Sequence, residues 1–170
     1  MKQRIAALLL MSVAMAARAG LPDSFQPIAL EHPFSFSARV FDMTGAFEQS
    51  KREGRPMLVY LGAKDCPPCR LYERWLQDNR DAVAPGMSKL VIVDLRTYIK
   101  GPDIQFKIGD KLVPMLQWRK ELGDESTRVR YPSWWLVTSD GKLIRKAVDS
   151  GTFETVDRYL AFIDVSGAKP

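Results

Sequence analysis

The sequence predicts a single α/β domain, and three stretches carry that prediction. Pro56-Met57-Leu58-Val59-Tyr60-Leu61 is a compact apolar run, the pattern of a central strand covered on both faces. Arg70 to Asn79 has helical spacing, with Leu71, Trp75 and Tyr72, Leu76 recurring at i+4. Lys89 to Leu95 is a second buried strand, rich in Val and Ile. The order is therefore strand, helix, strand.

The chain begins with Lys2 and Arg4, then runs uncharged from Ile5 through Ala17 and reaches Ala17-Arg18-Ala19 just before Gly20. A basic start, a short apolar stretch and a small-x-small site make the layout of a secretory signal peptide over residues 1–19. A spanning helix needs roughly 20 apolar residues, more than this stretch supplies. Residues 20–37 read as an N-terminal extension: an extended arm with Pro22, Pro27 and Pro33, then the alternating Phe34-Ser35-Phe36-Ser37. That alternation, followed by Val40 and Phe41, suits a strand.

The domain itself is expected over 38–164. Asp42 or Thr44 can cap a helix running through Glu53, with Gly54 as its C′ residue. Asp110 to Leu122 reads as helical, with Pro114 interrupting it or marking its true first turn, and Gly123 ending it. Asp124 to Arg130 is a polar connection. Ser133 to Val137 is a strand on which Trp134 and Trp135 alternate, one ring in the core and the other facing solvent or a partner. Asp140-Gly141 signals a hairpin into Leu143–Val148. Thr152 can cap a last amphipathic helix carrying Phe153, Val156, Tyr159, Leu160 and Ile163, leaving 165–170 as a tail.

Charge excludes some functions. The chain has 25 Lys+Arg and 20 Asp+Glu. Loss of Lys2, Arg4 and Arg18 with the leader brings 22 basic residues against 20 acidic ones. That balance gives no footprint for nucleic acid, and no basic run with interleaved aromatics occurs. Zinc wants four ligands, and His32 is the only soft candidate besides the two cysteines. No metal and no cofactor are therefore expected.

Chemistry concentrates at Cys66-Pro67-Pro68-Cys69, which follows a buried strand and opens a helix. Pro67 fits the first helical turn, where its missing N–H costs nothing. Cys66 then sits at the helix N-terminus, where free N–H groups and the macrodipole favour a thiolate. Cys69 lies one turn further in, close enough to close a disulfide. The natural roles are Cys66 as attacking nucleophile and Cys69 as resolving thiol. A purely structural staple is the alternative, but closing so small a loop gains only about 2 kcal/mol of chain entropy.

With these residues in place the sequence resembles the thioredoxin-like superfamily over roughly Ala38 to Asp164. The matching positions are the strand Met57–Leu61, the Cys66–Cys69 motif, and Tyr131-Pro132 ahead of the strand Trp134–Val137. The resemblance implies a thioredoxin fold: a central mixed sheet flanked by helices, here with the N-terminal arm and an insertion before the cis-proline. It implies that Pro132 is that cis-proline and that the backbone of Tyr131 binds the incoming peptide. Pro-Pro between the cysteines is similar to tryparedoxin and nucleoredoxin. Two positions depart from the family: Asp65 replaces the Trp before the first Cys, and Tyr60 replaces a buried Asp that assists proton transfer to the second thiol. Lys64 and Asp65 would pull the Cys66 thiol in opposite directions. Residues 100–130 read as an insertion or extended helix near the active-site rim, either selecting partners or simply elaborating the fold.

The expected function is a periplasmic thiol–disulfide oxidoreductase acting on protein thiols and disulfides, leaning to a reductase served by a membrane or periplasmic redox partner. The alternative is a redox-inactive thioredoxin-like binding module or chaperone of an exported assembly. A peroxidase is disfavoured, because the surroundings typical of that family, Thr-x-x-Cys, are missing.

Overall fold

The computed structural model describes residues 20–33, 37–147 and 153–167. Residues 1–19, read above as a leader, lie outside the described residues, as do Phe34 to Phe36, Val148 and Thr152. Eight strands and five α-helices follow in the order β1 (Ile28–Glu31), β2 (Arg39–Asp42), α1 (Thr44–Glu53), β3 (Met57–Ala63), α2 (Pro67–Asp78), α3 (Arg80–Met87), β4 (Val91–Thr97), β5 (Ile104–Ile108), β6 (Lys111–Pro114), α4 (Met115–Glu121), β7 (Ser133–Val137), β8 (Leu143–Lys146) and α5 (Val156–Ile163).

The central sheet has the order β1-β4-β3-β7-β8. β1, β4 and β3 run parallel, and β7 and β8 are antiparallel to their neighbours. Alternate residues of β3 explain its unbroken apolar run. Met57, Val59 and Leu61 pack into one core with α1, α4 and Phe106, while Leu58 and Tyr60 pack into the other with α2, α3 and α5. Both faces are covered, so neither set can be polar. The same alternation sends Trp134 and Trp135 to opposite cores, and both are buried. The expectation that one ring would face outward fails because this sheet has no open face at β7.

Several elements differ from the sequence reading. The Pro-rich arm contributes β1, an edge strand in register with β4 from Ile28 opposite Val93 to Glu31 opposite Arg96. Residues 110–122 are not one helix: Gly109, at φ 60°, turns β5 into β6, and α4 starts only after Pro114. Ile104 and Phe106 are buried while Lys107 is exposed, a period of two that makes β5 a strand. With β2 it forms a second sheet of order β2-β5-β6 over the first core. Finally, α5 is capped by Thr155, whose Oγ1 accepts the Arg158 N–H at 3.3 Å, so Phe153 precedes the helix. Tyr159, Phe162 and Ile163 are its buried face, each contributing about 1.5–3 kcal/mol by leaving water.

Helix α1 ends as expected on Gly54 in the left-handed region. At its start Asp42 Oδ1 accepts the Thr44 N–H at 3.1 Å, while Thr44 Oγ1 accepts from the Gly109 N–H at 2.9 Å, tying α1 to the β5–β6 turn.

Candidate active site

β3 delivers the chain into Lys64-Asp65 and a tight turn, in which the Cys66 N–H donates to Ala63 O at 3.0 Å. Cys66 is the N-cap of α2, with extended backbone, and both prolines sit in the first turn. Its Sγ accepts the Cys69 N–H at 3.1 Å. A side-chain sulfur thus satisfies one of the free amides that open every helix. The same amide and the helix dipole stabilise negative charge on that sulfur when the pair is reduced. In the structure Cys66 and Cys69 are joined as a disulfide with Cα atoms 5.3 Å apart. Cys69 is fully buried and Cys66 is 2% exposed, whereas Pro67, Pro68 and Leu71 are exposed beside them.

Tyr131 packs against Ala63, Cys66 and Cys69, and the Tyr131–Pro132 bond is cis. Ser133 lies opposite Leu61 in the β3–β7 register, which sets Pro132 level with the end of β3, where the chain leaves for the motif. Burial raises the Tyr131 phenol above its ordinary pKa, against the pull of the Arg39 guanidinium. Cys66, Cys69, Tyr131 and Pro132 therefore converge.

The three residues singled out for tuning are held elsewhere. Lys64 Nζ pairs with Glu31 at 3.1 Å and lies 5.8 Å from the Tyr98 ring centroid. Asp65 Oδ1 accepts the Ile99 N–H at 2.8 Å. Tyr60 is buried and donates to Glu73 Oε1 at 3.0 Å, and burial together with that carboxylate raises its pKa.

Two buried acids escaped the sequence reading. Glu73 is 8% exposed and follows Cys69 by four residues, on the same helix face. Asp94 is fully buried on β4, opposite Tyr60 in the register. An acid on the apolar stripe of α2, and a single charge inside Val91–Leu95, were the available signals. His32 is half-buried in the loop after β1, its Nε2 3.4 Å from Thr97 Oγ1. Among the described residues no group of three or more His, Cys, Asp or Glu could hold a metal. No helix among them is long and apolar enough to cross a membrane.

Residues 39–116, from β2 through the motif to the start of α4, match a family model described as thioredoxin-like. That segment is thioredoxin-like. A thioredoxin-fold protein from Helicobacter pylori is 15% identical, with 68% of this chain and 70% of that one covered and a TM-score of 0.38. A chain from a complex of ferredoxin:thioredoxin reductase with thioredoxin f2 is 14% identical, with 74% and 90% covered and a TM-score of 0.38. No curated protein matches this chain. A thioredoxin-like domain with a disulfide-capable Cys66–Cys69 pair indicates thiol–disulfide redox function.

Proposed function

We propose that this thioredoxin-like chain is an exported, periplasmic oxidoreductase that reduces disulfides in protein clients. The observation that carries the reading is Cys66 Sγ capping α2, the position where a thiolate is stabilised. The Cys66 thiolate attacks one sulfur of the client disulfide, forming a mixed disulfide and releasing a client thiolate. Cys69 then gives up its proton and attacks Cys66 Sγ, closing the intramolecular disulfide and releasing the second client thiol. Two electrons pass from the dithiol to the client. A membrane or periplasmic dithiol donor resets the pair by the same exchange in reverse. Tyr131 presents its backbone to the client beside the cis-proline, as the family resemblance implies.

The test is a glutathione redox titration of the chain from Gly20 onward. A potential near about −270 mV is expected for a reductase, and one near about −120 mV would make the protein a disulfide donor instead. Replacing Cys66 with Ser is expected to bring client reduction down to the uncatalysed rate.

The second reading, a redox-inactive binding module or chaperone, has one observation on its side: Cys66 is only 2% exposed. It expects a pair that stays oxidised well below both potentials, and client binding that survives Cys66→Ser.

A further inference from the structure

Cleavage of a leader before Gly20 would turn a neutral amide nitrogen into a charged amine, and the fold has a place for that charge. The Gly20 N–H donates to Glu73 Oε2 at 3.1 Å, and the Leu21 N–H donates to Asp94 Oδ2 at 3.0 Å. Both carboxylates are buried, Asp94 completely. Arg96 Nε donates to Asp94 Oδ2 at 2.8 Å, and among the described residues no Lys or Arg pairs with Glu73. Of the two buried carboxyl groups, only Asp94 is paired with a guanidinium. Asp94 Oδ1 has no hydrogen-bond partner among the described residues. An unpaired carboxylate in such a place is costly, and a nearby cation is what relieves the cost.

The approach of the chain at residue 20 is specific to glycine. Its φ is +131°, and a Cβ there would lie 2.5 Å from Arg96 Nε and 2.6 Å from Asp94 Oδ2. The backbone itself closes on the ion pair, with no room for a side chain. The small-x-small pattern Ala17-Arg18-Ala19 ends immediately before this residue.

We propose that hydrolysis of the Ala19–Gly20 bond by a signal peptidase creates an α-ammonium at Gly20 that is bound by Glu73 and Asp94, fastening the mature N-terminus to the active-site helix. Water supplies the oxygen of the departing Ala19 carboxylate, and the freed Gly20 nitrogen takes up a proton. The inference rests on the export reading above. Its consequence is an internal cation one helical turn beyond Cys69, present only in the processed protein. The groups facing the amine are Glu73 and Asp94, with Tyr60 and Arg96 as their other partners, while Lys64 is drawn off to Glu31.

The full chain is produced in a bacterial host that exports it, and its intact mass is measured. Its α-amine is then acylated with an activated ester at pH 7, alongside a short peptide beginning Gly-Leu-Pro. A mass beginning at Gly20 is expected, with acylation at least about tenfold slower than in the peptide, as one unit of pKa elevation alone would give. Glu73→Gln is expected to restore most of the peptide's rate. Should that variant fail to fold, Asp94→Asn takes its place, and the wild-type rate decides by itself. An unprocessed mass, or a start at another residue, overturns the inference, and the unprocessed mass overturns export as well. Processing at Gly20 with an amine acylated as fast as the peptide's overturns the inference alone.

Discussion

Two buried aspartates in this molecule are treated in opposite ways. Asp124 lies after α4, and five donors reach its carboxylate. Arg119 Nε and Trp135 Nε1 donate to Oδ2 at 2.8 and 3.0 Å, and Lys146 Nζ donates to Oδ1 at 2.7 Å. The backbone and hydroxyl of Ser126 also donate to Oδ1, at 3.1 and 2.6 Å. Asp94, on β4 beneath the active-site helix, has one guanidinium, one backbone amide and an oxygen with no partner. Burial pushes both carboxyls up. At Asp124 the hydrogen bonds from Arg119, Lys146, Ser126 and Trp135 outweigh it and hold the group well below the carboxylate range, whereas at Asp94 burial prevails and the pKa is raised. A saturated carboxylate is a fastening; an undersatisfied one is a group still able to take a partner or a proton.

The largest expected effect tests the fastening. Asp124→Ala strands Arg119, itself 5% exposed, as a buried cation. Removing one partner of such a pair costs about 3–5 kcal/mol, so a large drop in the denaturation midpoint is expected. The redox potential of Cys66–Cys69 should not move, because nothing in this network touches the motif. A shifted potential would erase the contrast.

Next comes a kinetic effect at the other site. The family resemblance implies an acid where Tyr60 stands, and Tyr60 leads instead to Glu73. Glu73→Gln is expected to slow client reduction about tenfold at neutral pH, or about 1.4 kcal/mol in the barrier, with the loss concentrated in release of the mixed disulfide. Stopped-flow measurement on either side of pH 7 checks this; an unchanged rate at both pH values leaves Glu73 with no part in moving the Cys69 proton.

The acids also differ in how they couple folding to pH. Asp94 has a folded pKa above its ordinary 3.8, so the folded state binds more protons, and its stabilising contribution is full below 3.8 and lost as pH rises through the folded value. Asp124 has a folded pKa below 3.8, so its contribution is full above 3.8 and lost as pH falls. In a chain acylated at Gly20, where that nitrogen remains a neutral amide, Asp94→Asn should remove the gain in stability on acidification from neutrality towards pH 4. Urea unfolding at intervals of pH, with wild type and variant compared, gives the sign directly.

These carboxylates also mark where the sequence was legible. The strand Met57–Leu61, the α2 cap and the motif could be read because each depends on neighbours within a few residues: an apolar run, two prolines, a four-residue spacing. Pro132 rested on family resemblance. β1 was hidden by the prolines around it, since its partner is β4, more than sixty residues away. β6 was missed because it falls within the stretch from Asp110 that reads as helical, β5 because it lies in residues 100–130, read as an insertion or extended helix, and α3 because Pro85 lies within it. Glu73 and Asp94 drew no reading, for the partners that make burial tolerable are Tyr60, Arg96 and the backbone of Gly20 and Leu21, all supplied by the fold.

The smallest effects give the sharpest contrast, because single hydrogen bonds are removed without touching a charge. Tyr60→Phe leaves buried Glu73 Oε1 without its donor, and an unsatisfied buried acceptor costs about 1–3 kcal/mol. Ser126→Ala also removes one hydroxyl from a buried carboxylate, yet Asp124 keeps Arg119, Lys146, Trp135 and the Ser126 amide. With its desolvation still covered, the loss should be only about 0.5 kcal/mol. Chemical denaturation of both variants at pH 7 makes the comparison, with the tyrosine change expected to cost more. Equal losses would mean that the number of donors does not separate the two sites, and the distinction between a fastening and a receptive group would have to rest on the titration alone.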